Sequence, residues 1–529
     1  ELKKLKFQVL LKYKKLIIKN IIKYFNKFFF IQVLSLFFLG CLSGLVFSSN
    51  LILLPLMVIG LVTLFYLIYN NNLNIMRVFI IGCSYSFGQL FVGLYWISFA
   101  FEFTMNAGIW VGLIAVLILA IFLSIFIGIS CALSKYLSDQ WNLNVFGFAL
   151  LFSSLLSMSE YLRGNLFGGF PWNILGYIWS ESYILMQPVS LIGIYGLGLL
   201  SYLGCIAFIL FFYRIRYGFY ALLPLILCLT YSTIELTLFS DKNNSLLSVR
   251  VVQPSIKQDE KWNTNLKSQH LEKLINLSLT ENSNFNPSII IWPESAFPYN
   301  SSVLEKQINV FSWLKSNQIL ITGITRTNYK NKKLTDIYNS AYIIDNLEKI
   351  SMYYDKIKLV PFGEYNPFKK IINFEKFTDG SLDFSSGQDF NVFNLSKIKH
   401  SIGLLICYEV IFSGKIINGP RPDILINITN DAWYGDTYGP LQHLAAARAR
   451  AIEEGLPLVR SANTGVSAVI DKNGRFIKRL EIGQEGVIDI HLSTNNKKTI
   501  FSIYGNALYI IMSIFMLMLA RFVFIKKKL

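Results

Sequence analysis

The chain has 529 residues, of which 53% are hydrophobic, 15% aromatic and 15% charged, with a formal net charge of +17. It is too apolar for an ordinary water-soluble protein, and its apolar residues are too unevenly spread for a uniform membrane bundle. The charge does not point to nucleic acid: nine lysines fall in the first 27 residues and the chain ends in "FIKKKL", both places where Lys and Arg flank a membrane span.

Taken in chain order, apolar runs predict about eight spans, at 28–47, 51–69, 78–101, 108–133, 144–162, 183–212, 218–237 and 503–525. With that count Arg77, Lys135, Arg214, Arg216 and both basic ends fall on one side. The positive-inside bias then puts both termini in the cytoplasm and the polar stretch between spans seven and eight on the outer face, the periplasmic side of a bacterial inner membrane. The expected division is a basic segment 1–27, transmembrane helices 28–240, an outer domain 245–495, a last span 503–525 and a basic tail 526–529. In the membrane half, "SEYLRGNLFGGFPWNILGY" sets Glu160 and Arg163 before a Gly-rich aromatic stretch. It reads either as a snorkelling pair with an interfacial aromatic belt, or as a lipid-headgroup or access element.

The outer domain alternates short Val/Ile/Leu runs with helical or polar segments: "LLSVRVVQP", "PSIIIWPE", "QILITGI", "SAYIID", "HSIGLLICYE", "DILINITND", "LPLVRSA" and "VSAVIDKNG". This predicts an α/β layer structure with strands buried on both faces, some of them antiparallel. Three segments end in chemically useful side chains: "SIIIWPE" at Glu294, "MYYDKIKLVPFGE" with Lys356, Lys358 and Glu364, and "IGLLIC" at Cys407. Strand ends are where a rigid sheet aims functional groups.

Five of the six cysteines lie in predicted spans, where Cys is by default a small hydrophobe, and Cys407 alone is in the outer domain. It has no partner there for a disulfide. The four histidines, His270, His400, His443 and His491, lack zinc spacing, so no metal is expected. No other cofactor is indicated.

A protonated thiol is a poor nucleophile and needs a base or a cation nearby. His443 is the one plausible imidazole, with no clear orienting group in the sequence. A desolvated carboxylate can take the proton instead, and Glu294, after Pro293 and an apolar strand, is placed for it. A lysine would stabilise the oxyanion together with the backbone N–H after the nucleophile. Each residue alone has a plainer reading: a core cysteine, a turn or capping glutamate, a solvated lysine. Their co-occurrence favours a Glu294, Lys356, Cys407 constellation.

The segments "IIIWPESAFP", "YDKIKLVPFGEY", "LLICYEVIF" and "NITNDAWYGDTYGPLQHLAAARARAIEEGLPLVRSANTG" resemble the nitrilase superfamily, which uses a Glu-Lys-Cys triad on an αββα sandwich. With the flanking spans, the whole chain resembles the apolipoprotein N-acyltransferase family. That resemblance implies Glu294 as general base, Lys356 as oxyanion-side cation and Cys407 as nucleophile, with Lys358 the less well spaced alternative to Lys356. Glu364 would orient the lysine or the amine, while Tyr408 and Glu409 flank the nucleophile and the Tyr408 N–H is a candidate oxyanion donor. Trp262 and Trp433 fall on positions associated with the substrate pocket, or are simple core aromatics. Arg450 and Glu454 read as an i,i+4 ion pair.

The implied partners are a membrane phospholipid as acyl donor and a diacylated apolipoprotein as acceptor. Two readings compete: a membrane-tethered amidase using water, and a polytopic receptor or transporter with an outer binding domain. The segment "FGEYNPFKKIINFEKFTDGSLDF" is expected to act as a lid lying on the membrane surface.

Overall fold

The computed structural model describes residues 28–48, 50–103, 108–238, 246–280, 285–304, 306, 308–345, 350–367, 383–388, 390–494 and 498–525. The basic segment 1–27, the tail 526–529 and residues 368–382, most of the expected lid, lie outside the described residues.

Among the described residues, seven helical segments are long and apolar enough to cross a membrane: α1 (Phe29–Gly44, continued by the 3₁₀ turn Leu45–Ser48), α2 (Leu54–Asn70), α3 (Ile75–Gly93), α4 (Gly108–Trp141), α5 (Val145–Arg163), α6 (Val189–Tyr213) and α7 (Ile215–Leu238). Every expected span of the first seven has its helix, with shifted ends. The third stops at Gly93, where Asn173 hydrogen-bonds the Gly93 carbonyl at 3.0 Å, and Tyr95–Phe101 follows as a 3₁₀ segment. The sixth begins at Val189, not at 183, because Pro188 precedes it and Tyr183–Met186 forms a separate turn of helix. Inside it Gly193 has φ +68°, a break that glycine adopts without strain, and the Phe501 ring fills the space a side chain would take.

The polar domain is a four-layer αββα sandwich. Its first sheet runs β12-β1-β2-β3-β4-β5 and its second β11-β10-β9-β8-β7-β6. The strands are β1 (Leu246–Gln253), β2 (Ile289–Ile291), β3 (Ile319–Lys330), β4 (Lys333–Asp345), β5 (Ile350–Asp355), β6 (Val392–Leu395), β7 (His400–Ile406), β8 (Ile424–Thr429), β9 (Leu458–Ala462), β10 (Ser467–Ile470), β11 (Phe476–Leu480) and β12 (Gly486–Ser493). Strands β1, β2 and β3 are parallel, as are β7, β8 and β9, and the outer pairings are antiparallel.

The continuous apolar runs have a two-sided explanation. Ile289 and Ile291 point between the sheets, against Ile402, Leu404, Ile406, Ile426 and Val459. Ile290 and Leu320 point outward, against Leu274 on helix α8 (Lys267–Leu279). Period-two alternation with both faces buried demands apolar residues at every position. On the second sheet Leu405, Leu425 and Leu458 face helix α9 (Gly439–Glu454), whose Ala445, Ala446 and Ile452 join one apolar core with the membrane helices. The sandwich is thus packed onto the membrane domain through α9. Glu453 at its end accepts the Ile194 N–H at 2.8 Å, just past the Gly193 break in α6.

After the sandwich come a short helix α10 (Ile500–Tyr504) and α11 (Ala507–Phe522). The last expected span is therefore a 16-residue apolar helix, set off from α10 by Gly505 (φ +55°).

Candidate active site

Glu294 follows β2, Lys356 follows β5 and Cys407 follows β7, so the three side chains meet where strands of both sheets end. All three are buried. The Glu294 loop lies flat against β3 because Gly323 has no side chain there; a Cβ would come within 2.2 Å of the Ser295 nitrogen. The Lys261 ammonium, also buried, donates to the Glu294 backbone carbonyl at 3.0 Å.

The Lys356 ammonium donates to Glu364 Oε1 at 2.9 Å and reaches Glu294 Oε1 at 3.4 Å. Asn339 on β4 bridges the same two carboxylates, donating from Nδ2 to Glu294 Oε1 at 2.7 Å and to Glu364 Oε1 at 2.8 Å. The far oxygen of each carboxylate accepts a backbone N–H at 2.8 Å: Asn430 to Glu294 Oε2 and Val360 to Glu364 Oε2. Both carboxylates are therefore held as hydrogen-bond acceptors on either side of one cation. Burial draws the Lys356 pKa down, but Glu364, Glu294 and Cys407 outweigh it, and the ammonium is held above its ordinary value. For Lys261 burial prevails over Glu294 and Cys407, and its pKa falls to about 8.

Cys407 opens a 3₁₀ turn with φ +51°, a left-handed conformation that costs a non-glycine residue free energy and must be held by its surroundings. Burial, then Glu294, push its thiol pKa up, against Lys356 and a Thr429 hydrogen bond that pull it down. The net direction is upward, so the resting side chain is a protonated thiol.

Glu409 fastens this turn to the lysine loop. Its Oε2 accepts from the Ile406 N–H at 2.8 Å, and its Oε1 accepts from the Tyr354 hydroxyl at 2.7 Å and the N–H groups of Ile357 at 2.8 Å and Lys358 at 3.1 Å. Tyr408 fastens the turn to the membrane domain, donating its hydroxyl proton to the Gly169 carbonyl at 3.0 Å. Gly169 belongs to the Gly-rich stretch noted in the sequence. That stretch is pinned by Arg163, which donates to the carbonyls of Phe170 at 3.1 Å and Trp172 at 2.8 Å, and by Glu160, which accepts the Leu175 N–H and the Tyr202 hydroxyl. Glu160 and Arg163 are buried, so they do not snorkel to an interface: they shape the loop that meets the Cys407 turn.

The other expected residues fall nearby or elsewhere. Trp262 is 46% exposed and lines a cleft with Lys261, Pro293 and Ser295, the residues flanking Glu294. Trp433 is half-buried, its ring edge-on to Phe103 at 6.5 Å. Lys358 is exposed, over the Phe412 ring at 5.8 Å. Arg450 pairs with Glu453 at i,i+3, and Glu454 pairs with Arg421, so the expected Arg450–Glu454 pair is replaced on both sides.

Sequence reading missed Asn339 and Lys261, and it found no orienting group for His443. The structure supplies two: Asp431 Oδ1 lies 2.9 Å from Nδ1, and Arg460, which donates to Asp431 Oδ2 at 2.6 Å, comes within 3.1 Å of the same nitrogen. The other ring nitrogen faces the Cys407 backbone carbonyl, not its thiol. Potential ligand atoms of Cys407, Asp431 and His443 lie within 4.8 Å of one another, closer than the scattered histidines implied. Asp431 is already neutralised by Arg460, however, and both His443 nitrogens are engaged.

A buried thiol beside a carboxylate and a lysine, on paired six-stranded sheets, defines a carbon–nitrogen-hydrolase type of site carried by a multi-pass membrane protein. Residues 248–497 match the Carbon-nitrogen hydrolase family model, and residues 39–207 match that of the Apolipoprotein N-acyltransferase N-terminal domain. Apolipoprotein N-acyltransferases of Rickettsia prowazekii and Rhodopseudomonas palustris are 35% and 36% identical to the chain, over 91% and 83% of it and 96% and 85% of their own lengths. Among solved structures, Nit3 of Saccharomyces cerevisiae is 19% identical with a TM-score of 0.33, covering 48% of this chain and 93% of that one. The chain belongs to the apolipoprotein N-acyltransferase family, a family of acyltransferases.

Proposed function

We propose that the protein moves a fatty acyl chain from a membrane phospholipid, through a thioester on Cys407, to the α-amino group of the diacylglyceryl-cysteine of an apolipoprotein. The observation that carries this reading is the Glu294–Lys356–Glu364 cluster set beside Cys407, on a turn hydrogen-bonded directly to a loop of the membrane domain. A hydrolase acting on small soluble amides would have no use for that bond.

In the first half, Glu294 takes the Cys407 proton as sulfur attacks the ester carbonyl carbon. Lys356 and the Tyr408 N–H stabilise the oxyanion. The ester C–O bond then breaks, and the lyso-phospholipid leaves as an alcohol carrying the proton from Glu294. In the second half the free amine attacks the thioester, Glu294 takes the amine proton, and the C–S bond breaks as the thiol is reprotonated. Glu364 and Asn339 hold Lys356 and Glu294 in place throughout, and Trp262 and Trp433 border the substrate. Two lipid substrates require the site to sit at the membrane surface, and the Lys/Arg bias of the loops places the sandwich of residues 245–495 on the periplasmic side of the inner membrane. The helices within 28–240 and the helix within 503–525 anchor it, and segments 1–27 and 526–529 lie in the cytoplasm.

Labelled phospholipid and a diacylated lipopeptide with a free amino terminus test the reading. Wild type transfers label to the peptide, Cys407→Ala and Glu294→Gln do not, and Lys356→Ala loses on the order of 10²–10³ in rate. Transfer by Cys407→Ala at the wild-type rate refutes it.

A further inference from the structure

We infer that His443 is a positioning residue for the nucleophile: its Nε2–H holds the Cys407 backbone carbonyl, and this bond keeps the strained Cys407 turn aimed at Glu294. The inference rests on Cys407 being the nucleophile.

The Cys407 backbone sits at φ +51°, where a β-carbon is crowded, and persists only if neighbours over-determine it. Neighbours fix it on both sides. Upstream, the Ile406 N–H is taken by Glu409. At Cys407 itself, the carbonyl lies 3.1 Å from His443 Nε2. A carbonyl can only accept, so Nε2 donates to Cys407, while Nδ1 accepts from Arg460 in the neutral ring and donates to Asp431 Oδ1 once the ring is protonated.

The imidazole has little freedom to do anything else. His443, Asp431 and Arg460 are all fully buried. Asp431 Oδ1 also accepts the Thr429 hydroxyl at 3.1 Å, while Arg460 donates to Asn427 and to Asp431. The three residues come from α9, the loop after β8 and β9, so the second sheet and the helix that docks it on the membrane domain both converge on one carbonyl. On its other face His443 lies against the Trp172 ring at 5.5 Å, beside the Gly-rich membrane loop. Burying such a charged set is costly, and the cost is offset here by the close pairing of Asp431 with Arg460 and His443. The geometry it fixes here is that of the nucleophile's backbone, with the imidazole engaged by a main-chain atom and so not free to act as the base for sulfur.

The test compares His443→Gln, which carries an N–H donor about as far from the backbone as Nε2, with His443→Asn, whose amide reaches only as far as Nδ1. Both keep a polar group facing Asp431 and Arg460. The full-length protein in detergent is mixed with excess phospholipid without amine acceptor, and acylation of Cys407 is followed by intact mass in a single turnover at several donor concentrations. His443→Asn is expected to slow the acylation step on the order of 10–100-fold at saturating donor, with the half-saturating donor concentration unchanged. His443→Gln is expected to stay within a few-fold of wild type, with unfolding midpoints of the two variants alike. Equal losses in both variants, a change confined to donor half-saturation, or no loss in His443→Asn would each overturn the assignment.

Discussion

Glu409 offers the sharpest test of how the site is held. Its carboxylate accepts four hydrogen bonds, three on one oxygen and one on the other. Burial first of all raises its pKa, opposed by those bonds and by Lys356. Glu409→Gln keeps the volume but leaves one acceptor oxygen. If that oxygen serves Tyr354, Ile357 and Lys358, the new NH₂ faces the Ile406 N–H, and a buried donor loses its partner at a cost of about 1–3 kcal/mol. The three surviving bonds change from charge-assisted to neutral and lose roughly 1 kcal/mol each, while removing a buried charge returns part of its desolvation cost. The net is about 2–4 kcal/mol, expressed as loosening between the Lys356 loop and the Cys407 turn. Converted to rate, that is a loss of about 30-fold to 10³-fold in single-turnover acylation, measured by intact mass at saturating phospholipid. A variant acylated within twofold of wild type would show that the two loops do not depend on Glu409.

Asn339→Ala removes the amide that joins Glu294 to Glu364, and is expected to slow acylation on the order of tenfold or more while leaving Cys407 accessible to a small alkylating reagent. Because burial and Glu294 raise the Cys407 pKa, the thiolate fraction keeps growing above the ordinary thiol range, so the alkylation rate should still be climbing at about pH 10. A plateau near neutral pH would mean a preformed thiolate and no need for a base. A reporter fused at residue 282 should read as outside and one fused after Leu529 as inside; both on one side would refute the eight-span arrangement.

Much of this architecture can be read from the chain alone. Glu294 and Cys407 are visible because each follows a short apolar strand, and Lys356 and Glu364 because they sit together in "DKIKLVPFGE". Asn339 is not, since it lies inside β4 among residues that alternate like those of any strand, and its role exists only through carboxylates 45 and 25 residues away. Arg460 is hidden in the same way inside "LPLVRSA", where a buried arginine is meaningful only once Asp431 and Asn427 are beside it. The run of hydropathy does not show that α3 stops at Gly93, whose carbonyl Asn173 takes, that α6 starts only after Pro188, or that it breaks at Gly193 against Phe501. Hydropathy registers the length of a run and not what packs on it.

The central claim, that Cys407 carries the acyl chain between two lipids, is tested most directly by withholding the acceptor. With phospholipid alone, wild type should stall with one acyl chain added, on the peptide containing Cys407, released by hydroxylamine and discharged by a diacylated lipopeptide with a free amino terminus. Steady accumulation of free fatty acid with no adduct on Cys407 would contradict the claim and make water the acceptor.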